Sequence, residues 1–373
     1  MSDQQAGVDS SATTQLADAF PLINTCLRVL PPETMNAPAV APGMSTDEMI
    51  RSTVFSPEAF KKQSAQRSDG EPTSLAKTIA ASEKATMSLR RDFTENHADY
   101  KNKITDFTTL AFSMKRAGNT EAEAAAYYCQ GVTRESMGQF KEAITAYKKF
   151  LSLSTGLNDV VGISLAYNVM ACNRITLAIP PSLGSPYDSA EELSAEQTAL
   201  VEEARDLHEK HLSVTDEGGQ FVANTNIAIC QSLLGDFVSA AKYHQDALRI
   251  AIRMQSFSAQ SVAVGNLGLL AYKQKDMQTA NACLEQHLQL TQSLRCVKGE
   301  TNAWYLMGLV ADAEGEFEKA TRFFEEGRRV AEANNMMGMV KRLNCMVGVV
   351  QGKMNLVGHL DRLVKRASAN HTA

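Results

Sequence analysis

The chain has 373 residues, 44% hydrophobic, 6% aromatic and 21% charged, with a net charge of −5. This length allows roughly two or three domains, and the apolar fraction is enough for a packed core, which excludes wholesale disorder. The mild acidity argues against a general nucleic-acid binder, which needs a basic face.

Prolines divide the chain. Seven of the ten (Pro21, Pro31, Pro32, Pro38, Pro42, Pro57, Pro72) fall in the first 72 residues, and none follows Pro186. Residues 1–72 mix Ser, Thr, Ala, Pro and Gln, and their one apolar cluster runs from Phe20 to Leu30. This predicts a largely disordered N-terminal tail, with a short docking element around Asp18–Val29. The first residues lack a basic segment followed by an apolar one, so no secretory signal is expected. No 18-residue apolar run is evident, so no membrane span is expected.

From residue 73 the pattern turns helical. Ser74 suits an N-cap for the segment that follows. A second helix carries Ile104, Phe107, Leu110, Ala111 and Met114 at spacings of three and four, and Gly118-Asn119 ends it. Residues 73–120 are therefore read as a helical N-terminal cap or degenerate repeat.

Beyond residue 120 the chain repeats itself. Segments starting at Phe221, Ser261 and Thr301 align without a gap at a period of 40 residues. Small residues recur at Ala228, Gly268 and Gly308, and again at Ala240, Ala280 and Ala320. Phe237, Met277 and Phe317 precede the second set, and His244, Leu284 and Phe324 follow it. A small residue on each of two antiparallel helices lets them approach closely. The GD, KD and GE dipeptides between them make a tight turn, so each unit is a helical hairpin. A single hairpin cannot bury its apolar face alone, so the units must stack. An earlier copy carries Gly131, Gly138, Phe140, Ala143 and Tyr147 at the same offsets. Between Ala171 and Ala204 the spacing is stretched by an insertion at 179–197, which holds Pro180, Pro181 and Pro186. The predicted fold is all-α, with repeats over 121–340 and C-terminal capping helices over 341–367, where Leu360 replaces the small residue.

No nucleotide, hydrolase, metalloprotease or calcium-loop motif occurs. The seven cysteines form no CxxC pair and read as reduced, buried thiols. His208 and His211 lie three apart on one helix, where a metal could bridge them, but no third ligand is evident and a solvated face is expected instead. His244 and His287 fall at packing positions. No enzyme activity, cofactor or metal is expected. A redox protein using the cysteines is the alternative from another class.

These offsets resemble the tetratricopeptide repeat, in which a small residue follows an apolar one and Gly–x–Phe/Tyr–x–x–Ala comes next. Trp304, Gly308, Gly315, Phe317, Ala320 and Phe324 fit it almost fully. The 40-residue spacing and the GNLG phrase at Gly265–Gly268 are similar to a long-helix subgroup. That subgroup includes the Leu-Gly-Asn repeat scaffold, kinesin light chain and the ciliary tetratricopeptide repeat protein 29. The resemblance implies an α-solenoid whose first helices line a concave groove for a partner peptide or helix. Transferred by offset, the groove comprises Asn226, Ile229, Asn266, Leu269, Tyr272, Lys273, Tyr305 and Leu309. Asn226 and Asn266 hold equivalent positions, and a repeated amide suits an extended peptide backbone. Thr225, Gly265 and Tyr305 stand where carboxylate-clamping relatives carry a lysine, which disfavours that mode. The resemblance thus implies a cytoplasmic scaffold or adaptor protein. The alternative is a structural component of a cilium or flagellum, or of its transport machinery.

Overall fold

The computed structural model describes residues 100–179 and 193–370. The readings for residues 1–72, for Ser74 and for most of the insertion lie outside them. All regular structure among the described residues is helical.

The helices are α1 (Tyr100–Ala117), α2 (Thr120–Ser136), α3 (Phe140–Gly156), α4 (Val160–Ala178), α5 (Ala195–Val214) and α6 (Glu217–Leu233). They continue as α7 (Phe237–Arg253), α8 (Phe257–Lys273), α9 (Met277–Ser293), α10 (Val297–Ala313), α11 (Phe317–Ala333) and α12 (Met337–Asn370). Contacts divide the described residues into two units, with the boundary between Ala259 and Gln260 at the start of α8. In the first unit each helix from α1 to α7 packs on the next. In the second, α9 to α12 do the same, and Gly268 of α8 lies against Leu284 of α9. Each unit is thus a run of stacked antiparallel hairpins, the all-α solenoid class that the repeat predicts.

The turns keep a finer rhythm than the sequence repeat. Left-handed residues stand at Gly118, Gly138 and Asn158, then at Gly235, Gln255, Lys275, Arg295, Gly315 and Asn335. Within each series they are 20 residues apart, half of the 40-residue period. The next residue closes each turn by donating its N–H to a carbonyl five positions back, as Asp236 does to Gln231 at 2.9 Å and Asp276 to Ala271 at 3.0 Å. At several of the turns the same residue then caps the next helix, though Gln139, Asp159 and Glu316 make no such side-chain bond. Asn119, Asp236, Asp276 and Ser256 accept N–H groups from Ala122, Ser239, Thr279 and Ala259. An apolar side chain follows at once (Phe140, Phe237, Phe257, Met277, Phe317) and opens the helix.

Small residues sit where the hairpins cross. Ala240, Ala280 and Ala320 have no exposed surface. A Cβ built at Gly131 would overlap the Tyr147 ring, and one at Gly308 would overlap Phe324. Gly268 leaves a Cβ 3.0 Å from both Cys283 and Leu284. The closing residue of each hairpin therefore fills the space its glycine leaves open.

Three points differ from the sequence reading. α5 begins at Ala195, inside the expected insertion. Ser194 and Gln197 form a reciprocal capping box, and Gln197 also donates to the last carbonyl of α4, that of Ala178, at 2.8 Å. The C-terminal segment is one unbroken helix of 34 residues, not two, because no turn pair of left-handed residue and cap interrupts it. Finally, α4 is long and apolar enough to cross a membrane by length and composition. It lies between α3 and α5 with Ala166, Val169, Met170, Ala171 and Cys172 buried, as a core helix does.

Candidate partner-binding surface

The first helices of the repeats are α6, α8 and α10. Phe221–Cys230 of α6 is a run of ten consecutive buried residues. Ser258–Ala271 of α8 and Tyr305–Ala311 of α10 are buried runs as well. Since a helix turns once in 3.6 residues, such runs leave no open face.

This placement changes the reading of the groove residues. Asn226, Ile229, Asn266, Leu269, Tyr305 and Leu309 are all buried, and only Tyr272 and Lys273, at the end of α8, keep partial exposure. The offsets were transferred from repeats whose first helix has an open side, which these helices lack. Asn226 belongs to the first unit and Asn266 to the second. Within the first, Asn226 donates its amide to Asn168 of α4 at 3.1 Å. Within the second, the Tyr305 ring lies 6.0 Å from that of Phe324, and the Arg342 guanidinium sits 5.7 Å from its centroid. Desolvation lowers the pKa of Lys273.

Buried polar groups recur on these helices. Asn224, Thr225, Asn226 and Ser232 come from α6, Ser258, Gln260, Ser261 and Asn266 from α8, and Thr301 and Asn302 from α10. Of the second helices, α7 and α11 bury mainly alanines and aliphatic or aromatic side chains, whereas α9 also buries Gln286, His287 and Thr291. Thr225 Oγ1 and Asn302 Nδ2 are buried without a hydrogen-bond partner. Buried donors and acceptors are nearly always paired, so atoms left without a partner are candidate ligand contacts.

The titratable groups are a further departure from the sequence reading. His208 and His211 are not on a solvated face; they are 0% and 4% exposed. Neither ring nitrogen of His208 has a partner. Burial drives its pKa well below the ordinary histidine value, with His211 adding to the effect, and burial lowers His211 to about 4. His287 is also pushed to about 4 by burial, although its Nδ1 stands 2.8 Å from the Ser261 carbonyl and donates to it. Among the described residues no group of three or more side chains could hold a metal. Cys172, Cys230 and Cys283 are buried. Burial raises the Cys129 thiol to about 11 and also raises Cys230 and Cys296, the opposite of what a nucleophilic thiol needs. Cys296 instead caps α10, its sulfur accepting the Gly299 N–H at 3.3 Å. Cys26 lies outside the described residues.

One surface feature carried no signal in the repeat. A shallow recess in the first unit is lined by Ala124, Ala125, Phe150 and Leu157, with the carboxylates of Glu121 and Asp159 among its lining residues. Exposed Val160 and Val161 follow Asp159 directly in the chain.

Helix pairs of this length, with a small residue at each crossing and a closing aromatic opposite, have a counterpart among known families. Residues 124–155 match the tetratricopeptide repeat family. The matched stretch covers most of α2 and α3, the hairpin in which Gly131 faces Tyr147. No curated protein matches the chain. Among solved structures, BtubC (BKLC) from P. vanneervenii is similar at 18% identity, over 64% of this chain and 93% of that one, with a TM-score of 0.49. A STAND ATPase with a tetratricopeptide repeat sensor from Pyrococcus horikoshii is similar at 15% identity, over 86% of this chain and 52% of that one, with a TM-score of 0.46. A tetratricopeptide repeat protein from Parabacteroides merdae is similar at 14% identity, over 67% and 99%, with a TM-score of 0.31.

Proposed function

We propose that this chain is a non-enzymatic scaffold that holds an extended peptide or helix of a protein partner on the first helices of its tetratricopeptide hairpins. The observation that carries this reading is the set of buried polar side chains on α6, α8 and α10, with Thr225 and Asn302 unpaired. Hairpin packing needs small and apolar residues at these helices, not amides and hydroxyls. A peptide backbone offers alternating donors and acceptors that such a layer can pair. Asn226, Ile229, Asn266, Leu269, Tyr305 and Leu309 would form the lining that an arriving segment uncovers. Tyr272 and Lys273 would be its first contacts.

The test is affinity capture from cell extract with the full chain as bait. Wild type is compared with Asn226→Ala/Asn266→Ala and with Tyr272→Ala/Lys273→Ala, each checked by thermal melting. Loss of the same partner from both folded variants supports the reading. Unchanged capture by both overturns it.

The narrower reading places this scaffold in a cilium or flagellum, with the kinesin light chain and ciliary subgroup. It is supported by the 40-residue period and the GNLG phrase. Diffuse cytoplasmic signal from a tagged chain in ciliated cells would count against it.

A further inference from the structure

The buried stripe of α5 ends on two imidazoles. Val201, Ala204, His208 and His211 follow one another at steps of three and four, and they are the residues that α5 buries. Counted from the small residue of each helix, His208 stands where α3 has Tyr147, and His211 where α3 has Phe150. α3 holds its hairpin with those two rings and with Ile144. α5 has one valine and one alanine for the same task, so its apolar anchorage on α4 and α6 is the weaker.

The two imidazoles are placed where only their neutral form fits. His208 has no exposed surface, and neither of its ring nitrogens has a partner. His211 is 4% exposed, and its Nδ1 has none. An imidazolium carries two N–H donors, and at His208 neither meets an acceptor. Two imidazolium ions one helical turn apart also repel each other.

The surrounding charges are engaged elsewhere. α4 has one charged residue, Arg174, which pairs with Glu203 of α5. α6 has one, Glu217, which pairs with Arg253 of α7. Asp216, just ahead of α6, caps that helix by accepting the Gly219 N–H. The other titratable groups of α4 and α6 are Tyr167, Cys172 and Cys230, which are neutral at mildly acidic pH. Around the pair on α5 itself, Glu202, Glu203, Asp206, Glu209 and Lys210 are exposed, and Arg205 pairs with Asp206.

We propose that α5 is an acid-released lid on α4 and α6: protonation of His208 and His211 lifts it and uncovers the first helices that it covers. Burial holds both rings below the ordinary histidine range, His211 at about 4. Once lifted into water, each returns to about 6.5. The lid is therefore fully closed above 6.5 and loosens as pH falls below it. Between pH 7.5 and 5.5 each histidine raises the lifted population about tenfold, and both together about 100-fold. The device does not depend on what the first helices bind.

Hydrogen–deuterium exchange of the full chain tests this. It is read by mass spectrometry at pH 7.5 and 5.5, with labelling times scaled for the intrinsic rate, and α5 is compared with α3, which has no histidine. Protection of α5 should fall about 100-fold, with that of α3 unchanged. His208→Leu/His211→Ala places in α5 the residues found at the equivalent positions of α9 and α7, Leu284 and Ala247. In that variant the loss should be less than about threefold, and in the milder His208→Leu about tenfold. Thermal melting at pH 7.5 verifies that each variant is folded. Wild-type α5 protection that does not change with pH overturns the proposal. So does an equal loss in α3 and α5, which would assign the acid effect to unfolding of the whole unit. A loss in α5 that stays at the wild-type size in a folded variant also overturns it.

Discussion

Asn226 on α6 donates its side-chain amide to Asn168 on α4, 58 residues earlier, at 3.1 Å, with both residues buried. The acceptor oxygen also lies 3.8 Å from the Cys172 sulfur. The bond joins the first helices of two successive hairpins in the first unit. Asn226→Ala removes the amide donor to a buried carbonyl oxygen and should cost about 1–3 kcal/mol. In a double-mutant cycle with Asn168→Ala, urea denaturation should show a coupling of at least about 0.5 kcal/mol. Additive effects would mean that the two amides do not interact in solution.

The glycine crossings make a second prediction. Gly308→Ala places a methyl against the fully buried Phe324 ring. It should cost about 1–3 kcal/mol by overpacking, and Ala280→Leu should cost a similar amount. Phe324→Leu in the Gly308→Ala background should recover part of the loss. A Gly308→Ala variant with an unchanged melting temperature would contradict the crossing.

The turns predict gains as well as losses. Lys275 (φ 63°) and Arg295 (φ 53°) occupy left-handed positions that cost a side chain about 1–2 kcal/mol relative to glycine. After the extra chain entropy of glycine is subtracted, Lys275→Gly should stabilise by roughly 0.5–1 kcal/mol. Gly235→Ala, at φ 83°, should destabilise by about 1 kcal/mol. Thermal melting of the two variants should show shifts of opposite sign.

Acid should loosen the fold through its buried histidines. His211 and His287 titrate near 4 when folded, and His208 is also lowered well below its ordinary value. Their unfolded value is about 6.5. Below 6.5 the unfolded chain therefore binds protons that the folded chain refuses. Stability is full near pH 7 and falls as pH drops toward 4, by about 1.4 kcal/mol per pH unit for each histidine. Urea midpoints at pH 7, 6 and 5 measure this slope. His287→Gln should make it shallower. An unchanged slope would show that His287 does not resist protonation in the folded chain.

Much of the architecture is local and therefore legible in the sequence. Gly131, Gly268 and Gly308 announce the crossings because close helix approach tolerates no Cβ there. Asp236 and Asp276 announce the turns because an N-cap needs a short acceptor directly before the helix. The turns at Gln255 and Arg295 were harder to see, because side chains other than glycine or asparagine hold the left-handed position and hide the 20-residue half-period.

What surrounds a helix was not legible. The offsets that the family resemblance implies predict an open groove at Asn226 and Asn266, and helix spacing a solvated pair at His208 and His211, yet all four are buried. Exposure depends on chain that is remote in sequence, as the Asn168–Asn226 bond shows. α12 illustrates the reverse: its apolar residues were present in the sequence, but only the tertiary structure left Val349, Leu356 and Leu360 uncovered. The sequence by itself determined the repeat, its helices and its crossings, because those follow from short-range geometry. The tertiary structure decided which side chains remain free to meet a partner, because that depends on which segments pack together.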